Sequence, residues 1–120
     1  MSLSVGSEVL CQVDRITLQK ADVTVVSLPG AIRGSIRLQD VRSFDIDKTG
    51  IPDSFLPGDL VRATAISVGD AKSCFFATNQ PNLGVVMAKD QNGELLTPVD
   101  ESHMRNTAGI VFKRKVAKPV

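Results

Sequence analysis

The stretch Ala31-Ile32-Arg33-Gly34-Ser35-Ile36-Arg37-Leu38-Gln39-Asp40-Val41-Arg42, followed after a polar loop by Phe55-Leu56-Pro57-Gly58-Asp59-Leu60-Val61, decides the fold. Side chains of a strand alternate between its two faces, so Ile32, Gly34 and Ile36 share one face and Arg33, Ser35 and Arg37 the other. One face is core, and the other presents two guanidiniums. A glycine inside a strand marks a place where another backbone approaches closely, which is the role expected of Gly34. Leu38 to Val41 suits a short helical turn, and Pro57-Gly58 suits the centre of a tight turn, proline supplying a fixed φ and glycine the positive one.

Working outward, Val9, Cys11 and Val13 alternate before the pattern shifts to Ile16 and Leu18, which reads as a strand with a bulge near Asp14 and Arg15. The β-branched run Val23-Thr24-Val25-Val26 and the Pro29-Gly30 turn make a hairpin with the arginine-bearing strand. A fourth strand is expected from Leu60 to Val68, a turn at Gly69-Asp70, and a fifth strand from Lys72 to Thr78. Five short strands joined by turns predict an all-β, five-stranded OB-fold barrel over residues 1–80, whose closure removes most exposed edges. Asn79-Gln80-Pro81-Asn82 marks a boundary, and residues 81–120 read as a small β module. There Val85 to Met87, an Asn92-Gly93 hairpin turn, a return over 94–99, a loop over 100–109 and a strand over 110–116 are expected. So few residues bury little alone, and the module is expected to lean on the barrel.

With 42% hydrophobic residues in 120, the chain supplies a core without staples. The net charge is +1, but residues 1–80 carry eight Lys and Arg against nine Asp and Glu, and residues 81–120 six against four. Sequence-independent RNA binding draws on counterion release by many basic groups, so strong solitary RNA binding is not expected of this barrel. No apolar run approaches the roughly 20 residues that span a bilayer and no secretion signal is evident, so the expectation is a soluble intracellular protein without a membrane partner. Cys11 and Cys74, in apolar strands, read as buried thiols.

Asp45-Ile46-Asp47-Lys48-Thr49-Gly50 imitates the start of a calcium loop, but its twelfth position is Leu56 where a bidentate Glu belongs. His103 is the one histidine and has no nucleophile or ligand motif around it. No cofactor, metal or catalytic constellation is expected. The residues singled out for RNA or partner contact are Arg33, Ser35, Arg37 and Arg42, with a second basic set of Lys113, Arg114 and Lys115. A solvated polar strand face is the competing reading of the first set. If the second set is a strand, alternation places Arg114 opposite Lys113 and Lys115.

The signature Arg33-Gly34-x-Ile36-Arg37-x-x-Asp40-Val41-Arg42 resembles the central S1 domain of RNA exosome cap subunits of the Csl type. The likeness continues through Phe55, Pro57-Gly58-Asp59, Ile66 to Asp70, Leu83-Gly84-Val85-Val86, Pro98 and Phe112 to Ala117, nearly the whole chain. It implies an S1-type barrel followed by a zinc-ribbon-like module, and a non-catalytic role in exosome assembly and RNA entry for 3′-to-5′ RNA processing and degradation. It also implies RNase-PH-like ring subunits and other cap subunits as partners, weakly bound single-stranded RNA, and a nuclear, nucleolar and cytoplasmic location.

The chain departs from that pattern at informative places. S1 domains typically carry an aromatic directly after the third-strand glycine and a histidine two residues later; here these are Ser35 and Arg37, which removes base stacking worth about 1–3 kcal/mol per base. Residues 81–120 contain no cysteine, so no tetrathiolate zinc site forms. The family's small N-terminal domain has no counterpart here, and the chain reads as a fragment. A free-standing S1-type RNA-binding module is the alternative reading, and a small hydrolase ranks far below both.

Overall fold

The computed structural model describes residues 3–42, 50–69 and 74–117. Its strands are β1 Glu8–Ile16, β2 Lys20–Val25, β3 Arg33–Arg37, β4 Leu60–Ser67, β5 Cys74–Ala77, β6 Gly84–Met87, β7 Thr97–Asp100, β8 His103–Arg105 and β9 Val111–Lys113, with 3-10 turns at Leu38–Asp40 and Ile51–Asp53. Asp45 to Thr49, Asp70, Lys72 and Lys118, on which parts of the calcium-loop, turn, fifth-strand and terminal basic readings fell, lie outside the described residues. Among the described residues no helix is long and apolar enough to cross a membrane.

The first five strands close a barrel in the order β1-β2-β3-β5-β4, with β4 returning to β1. Closure gives every barrel strand two neighbours, which is how an all-β domain of this size avoids open edges. The all-β barrel and the smaller β module are as the sequence reads. So is the bulge in β1, where the register against β2 slips between Val13 and Arg15. Val13, Val23, Ile36, Val61 and Phe76 point into the barrel, and Ile51 and Phe55 from the β3–β4 connection join them, all at 1% exposure or less. Each such side chain contributes about 1.5–3 kcal/mol by leaving water.

The parallel pairing of β3 with β5 is the step that shuts the barrel, and it sets Gly34 opposite Cys74. A Cβ at residue 34 would run into the Cys74 carbonyl and the Phe76 ring. The glycine read from sequence as a close-approach point is therefore what lets β3 and β5 meet.

Beyond the barrel the sequence reading needs correction in its details. β6 continues the edge of β4: Leu60 to Arg62 face β6, while Thr64 to Ser67 face β5. The turn expected at Asn92-Gly93 is present, with Asp90 Oδ1 accepting the N–H groups of Asn92 and Glu94. Among the described residues its arms share one bridge, Lys89 to Leu95, because β6 pairs with β4 and β7 with β8. The expected 100–109 loop contains β8, the middle strand of the three-stranded sheet. Three residues are too few for alternation to show in sequence, and the pairing on both sides is what makes them a strand.

The expected strand over 110–116 ends at Lys113. The next four residues leave the sheet and lie between the two parts of the molecule. Arg114 N–H donates to Ser102 and Val116 N–H to Glu101 on the small-sheet side. Lys115 N–H donates to Ser54, while Val85 N–H donates to Lys115 and Ala117 N–H to Val85 on the barrel side. Gly84, at φ +133°, makes room for this: a Cβ there would strike the Lys115 carbonyl. The tail is a clamp that joins module to barrel.

Candidate nucleic-acid interface

Four adjacent strands carry the outer face of the barrel, and their registers align Arg15 with Asp22, Asp22 with Ser35, and Ser35 with Phe75. Asp22 is the hub of that row. Its Oδ2 accepts from Arg15 Nε at 3.3 Å and Nη2 at 3.1 Å, its Oδ1 accepts from Ser35 Oγ at 3.1 Å, and Lys20 Nζ stands 3.6 Å away. Partial burial works against the carboxylate, but the hydrogen bonds from Arg15 and Ser35 and the charges of Lys20 and Arg15 outweigh it and hold the Asp22 carboxyl below its ordinary 3.8. Arg33 is exposed at the end of β3 and forms no ion pair among the described residues. Together with Asp14, Lys20 and Thr24 it lines an open groove across β1, β2 and β3.

Arg37, on the same face, lies over the Phe75 ring with its guanidinium carbon 4.4 Å from the centroid, and its Nε donates to Asp40 Oδ2 at 2.8 Å. The stacking surface missing at Ser35 and Arg37 is thus supplied one strand away. Sequence contained the signal: with Phe76 inward, alternation turns Phe75 outward beside Ser35. A guanidinium held over a ring can offer a platform for a nucleobase, and Arg33 and Lys20 can offer phosphate contacts. The acids Asp14, Asp22 and Asp40 offset much of that positive charge.

The remaining four candidates divide differently. Lys113 is exposed at the end of β9. Arg114 is buried, and its Nε donates to Asp59 Oδ2 at 2.7 Å, closing an ion pair between residues 55 positions apart. Asp59 Oδ2 also accepts the N–H of Leu56 at 3.0 Å, so the Pro-Gly-Asp turn is what presents this carboxylate to the tail. Burial raises the Asp59 carboxyl above 3.8, against the pull of Leu56 N–H and of the guanidinium. Lys115 is buried beside it and donates from Nζ to the carbonyls of Leu83 at 2.6 Å and Gln80 at 3.2 Å. Burial first, and then the nearby Arg42 charge, bring Lys115 down to about 8, with Glu101 opposing. Arg42 is itself buried, next to Val41, whose carbonyl accepts Thr78 Oγ1 at 2.9 Å. Structure therefore gathers Arg33, Ser35 and Arg37 on the barrel face, leaves Lys113 apart, and places Arg42, Arg114 and Lys115 in the seam. Alternation fails at Arg114 and Lys115 because the chain has left the sheet.

The family profile for exosome component EXOSC1/CSL4 matches residues 27–68, from the β2–β3 turn through β4. The exosome complex component csl4 of Schizosaccharomyces pombe is 40% identical over 123 aligned positions, spanning 98% of this chain and 68% of that protein. The chain belongs to the exosome component CSL4 family. Human exosome complex component CSL4 is likewise 40% identical over 107 positions, and this chain spans 55% of its length. Among solved structures, a chain of the a/eIF2alpha–aDim2p–rRNA complex from Pyrococcus horikoshii OT3 shares the fold, with a TM-score of 0.59 at 22% identity over 68% of this chain and 47% of that one.

Residues 81–120 contain no cysteine, and among the described residues no group of three or more His, Cys, Asp or Glu is placed to hold a metal. Buried Leu96, Met104 and Val116 and the Arg114 to Asp59 ion pair fix the module.

Proposed function

We propose that this chain acts as a non-catalytic cap component of the RNA exosome, contributing to assembly and to RNA entry for 3′-to-5′ RNA processing and degradation. Its place in the CSL4 family along nearly its whole length carries the reading. RNase-PH-like ring subunits and other cap subunits are the protein partners, in the nucleus, the nucleolus and the cytoplasm. No cofactor takes part.

The barrel face supports a guiding role better than a gripping one. Affinity for RNA grows with the number of phosphates neutralised, and here Arg15, Lys20 and Arg37 already face Asp22 or Asp40. Arg33, Ser35 and Arg37, with Phe75, are the residues assigned to RNA, bound weakly by the chain alone. Lys113 is assigned to RNA or a partner.

Pull-down on a reconstituted RNase-PH-like ring tests this, with the longer family form run alongside this chain. Retention on the ring, and micromolar or weaker affinity for a single-stranded RNA 20-mer, are the expected results. No retention by ring or cap subunits overturns the reading. Tight RNA binding with a steep salt slope and no ring retention would favour the free-standing S1-type module.

A further inference from the structure

We infer that Arg42 and Lys115 form a carboxylate-receiving site in the seam between barrel and small sheet, filled by an acidic side chain of a protein partner. Each keeps only 7% of its surface. A buried cation is costly unless an anion accompanies it. Arg114, the third buried cation of this seam, has Asp59. Arg42 and Lys115 form no ion pair among the described residues, and the buried Nε of Arg42 donates to no acceptor.

Lys115 gives hydrogen bonds to the Gln80 and Leu83 carbonyls, which satisfy donors but carry no compensating charge. The Arg42 backbone and the Lys115 ammonium group meet at one turn: Thr78 Oγ1 bonds the Val41 carbonyl just before Arg42, and Lys115 Nζ bonds Gln80 two residues on. The two cations repel each other, with Glu101 the carboxylate acting against that repulsion on Lys115. One further carboxylate would satisfy Arg42 and relieve the repulsion between the two cations.

The narrow exposure selects the occupant. An Asp or Glu places its carboxylate at the tip of a slender side chain, and its two oxygens match the guanidinium fork. A nucleic-acid phosphate is flanked by a ribose on each side and does not reach so recessed a pair. This inference rests on the exosome reading only for the identity of the partner, not for the site.

Hexaglutamate peptide and a U10 RNA, titrated separately into the full chain at low salt, test the site, with Arg42→Met and Lys115→Met as variants that keep apolar packing. Hexaglutamate binding that falls at least tenfold in both folded variants, with U10 binding unchanged, is the expected result. If Arg42→Met fails to fold, Lys115→Met decides. No hexaglutamate binding by the wild type, equal binding by the variants, or a larger loss of U10 binding overturns the inference. Ring binding, measured in parallel, should also fall in the variants. A wild type that binds hexaglutamate but no ring sinks the exosome reading and leaves the site standing, whereas ring binding untouched by the variants overturns the ring as the source of the acidic side chain.

Discussion

The barrel face and the seam use the same residue types to opposite ends. On the face, Arg15, Lys20 and Arg37 keep solvent exposure and meet Asp22 and Asp40 at 2.8 to 3.6 Å. Water screens such pairs, and each is worth about 0–1 kcal/mol. In the seam, Arg114 and Asp59 meet at 2.7 Å with 4% and 3% of their side chains exposed. There the loss of one partner strands a charge in a poorly polarisable surrounding. Position in the fold, not residue type, decides whether a cation stays at the solvated surface or becomes a structural pin.

The largest effect expected from this contrast is on the seam. Arg114→Ala or Asp59→Ala should cost about 3–5 kcal/mol of unfolding free energy in urea titration, because each leaves its partner buried and unpaired. The double replacement Asp59→Leu with Arg114→Met should recover much of that loss. A single variant losing under about 1 kcal/mol would show that the seam is wet and erase the distinction.

A smaller effect follows from Lys115. Its ammonium group, at about 8 in the fold against 10.5 unfolded, gives up its proton more readily when folded. Between those values the unfolded chain binds the extra proton, so stability rises with pH. The gain should be on the order of 1 kcal/mol, reduced from the full shift because solvent partly reaches the group. Cys11 acts in the other direction above pH 9, since burial pushes its thiol from 9.0 to about 12 and the unfolded chain ionises first. The clean window is therefore pH 8 to 9. Denaturant midpoints should climb there in the wild type and stay level in Lys115→Met; a wild type that is flat across it would break the assignment.

The smallest stability effect belongs to the face. Arg33→Glu should change unfolding free energy by no more than about 0.5 kcal/mol, and Arg37→Ala by about 0.5–1 kcal/mol through loss of the Phe75 stack and the Asp40 pair. Both should weaken U10 binding, read by fluorescence anisotropy. Unchanged RNA affinity in both would reduce this face to solvated surface and leave the seam as the one region with an assigned task.

Period-two patterning and turn and glycine chemistry were enough to read β1 with its bulge, the β2–β3 hairpin, the close backbone approach at Gly34 and the outward set Arg33, Ser35 and Arg37, because each depends on neighbours in sequence or on the alternation of a single strand. Phe75 was equally legible from Phe76 and was missed as the missing aromatic of the face. β8 was not legible, since His103-Met104-Arg105 is too short to show a pattern and is a strand only through β7 and β9.

By itself, then, the sequence determined an all-β barrel with a small β appendage and which side of its third strand is polar, since local periodicity and turn chemistry carry that information. Only the tertiary structure decided what Arg42, Arg114 and Lys115 do. Arg114 and Lys115 are placed by contacts with Asp59, Gln80 and Leu83, and Arg42 by burial beside Val41, whose carbonyl is held by Thr78; no local pattern encodes those distances along the chain. Three basic residues that the sequence offers for RNA or partner contact are buried in the seam between barrel and small sheet.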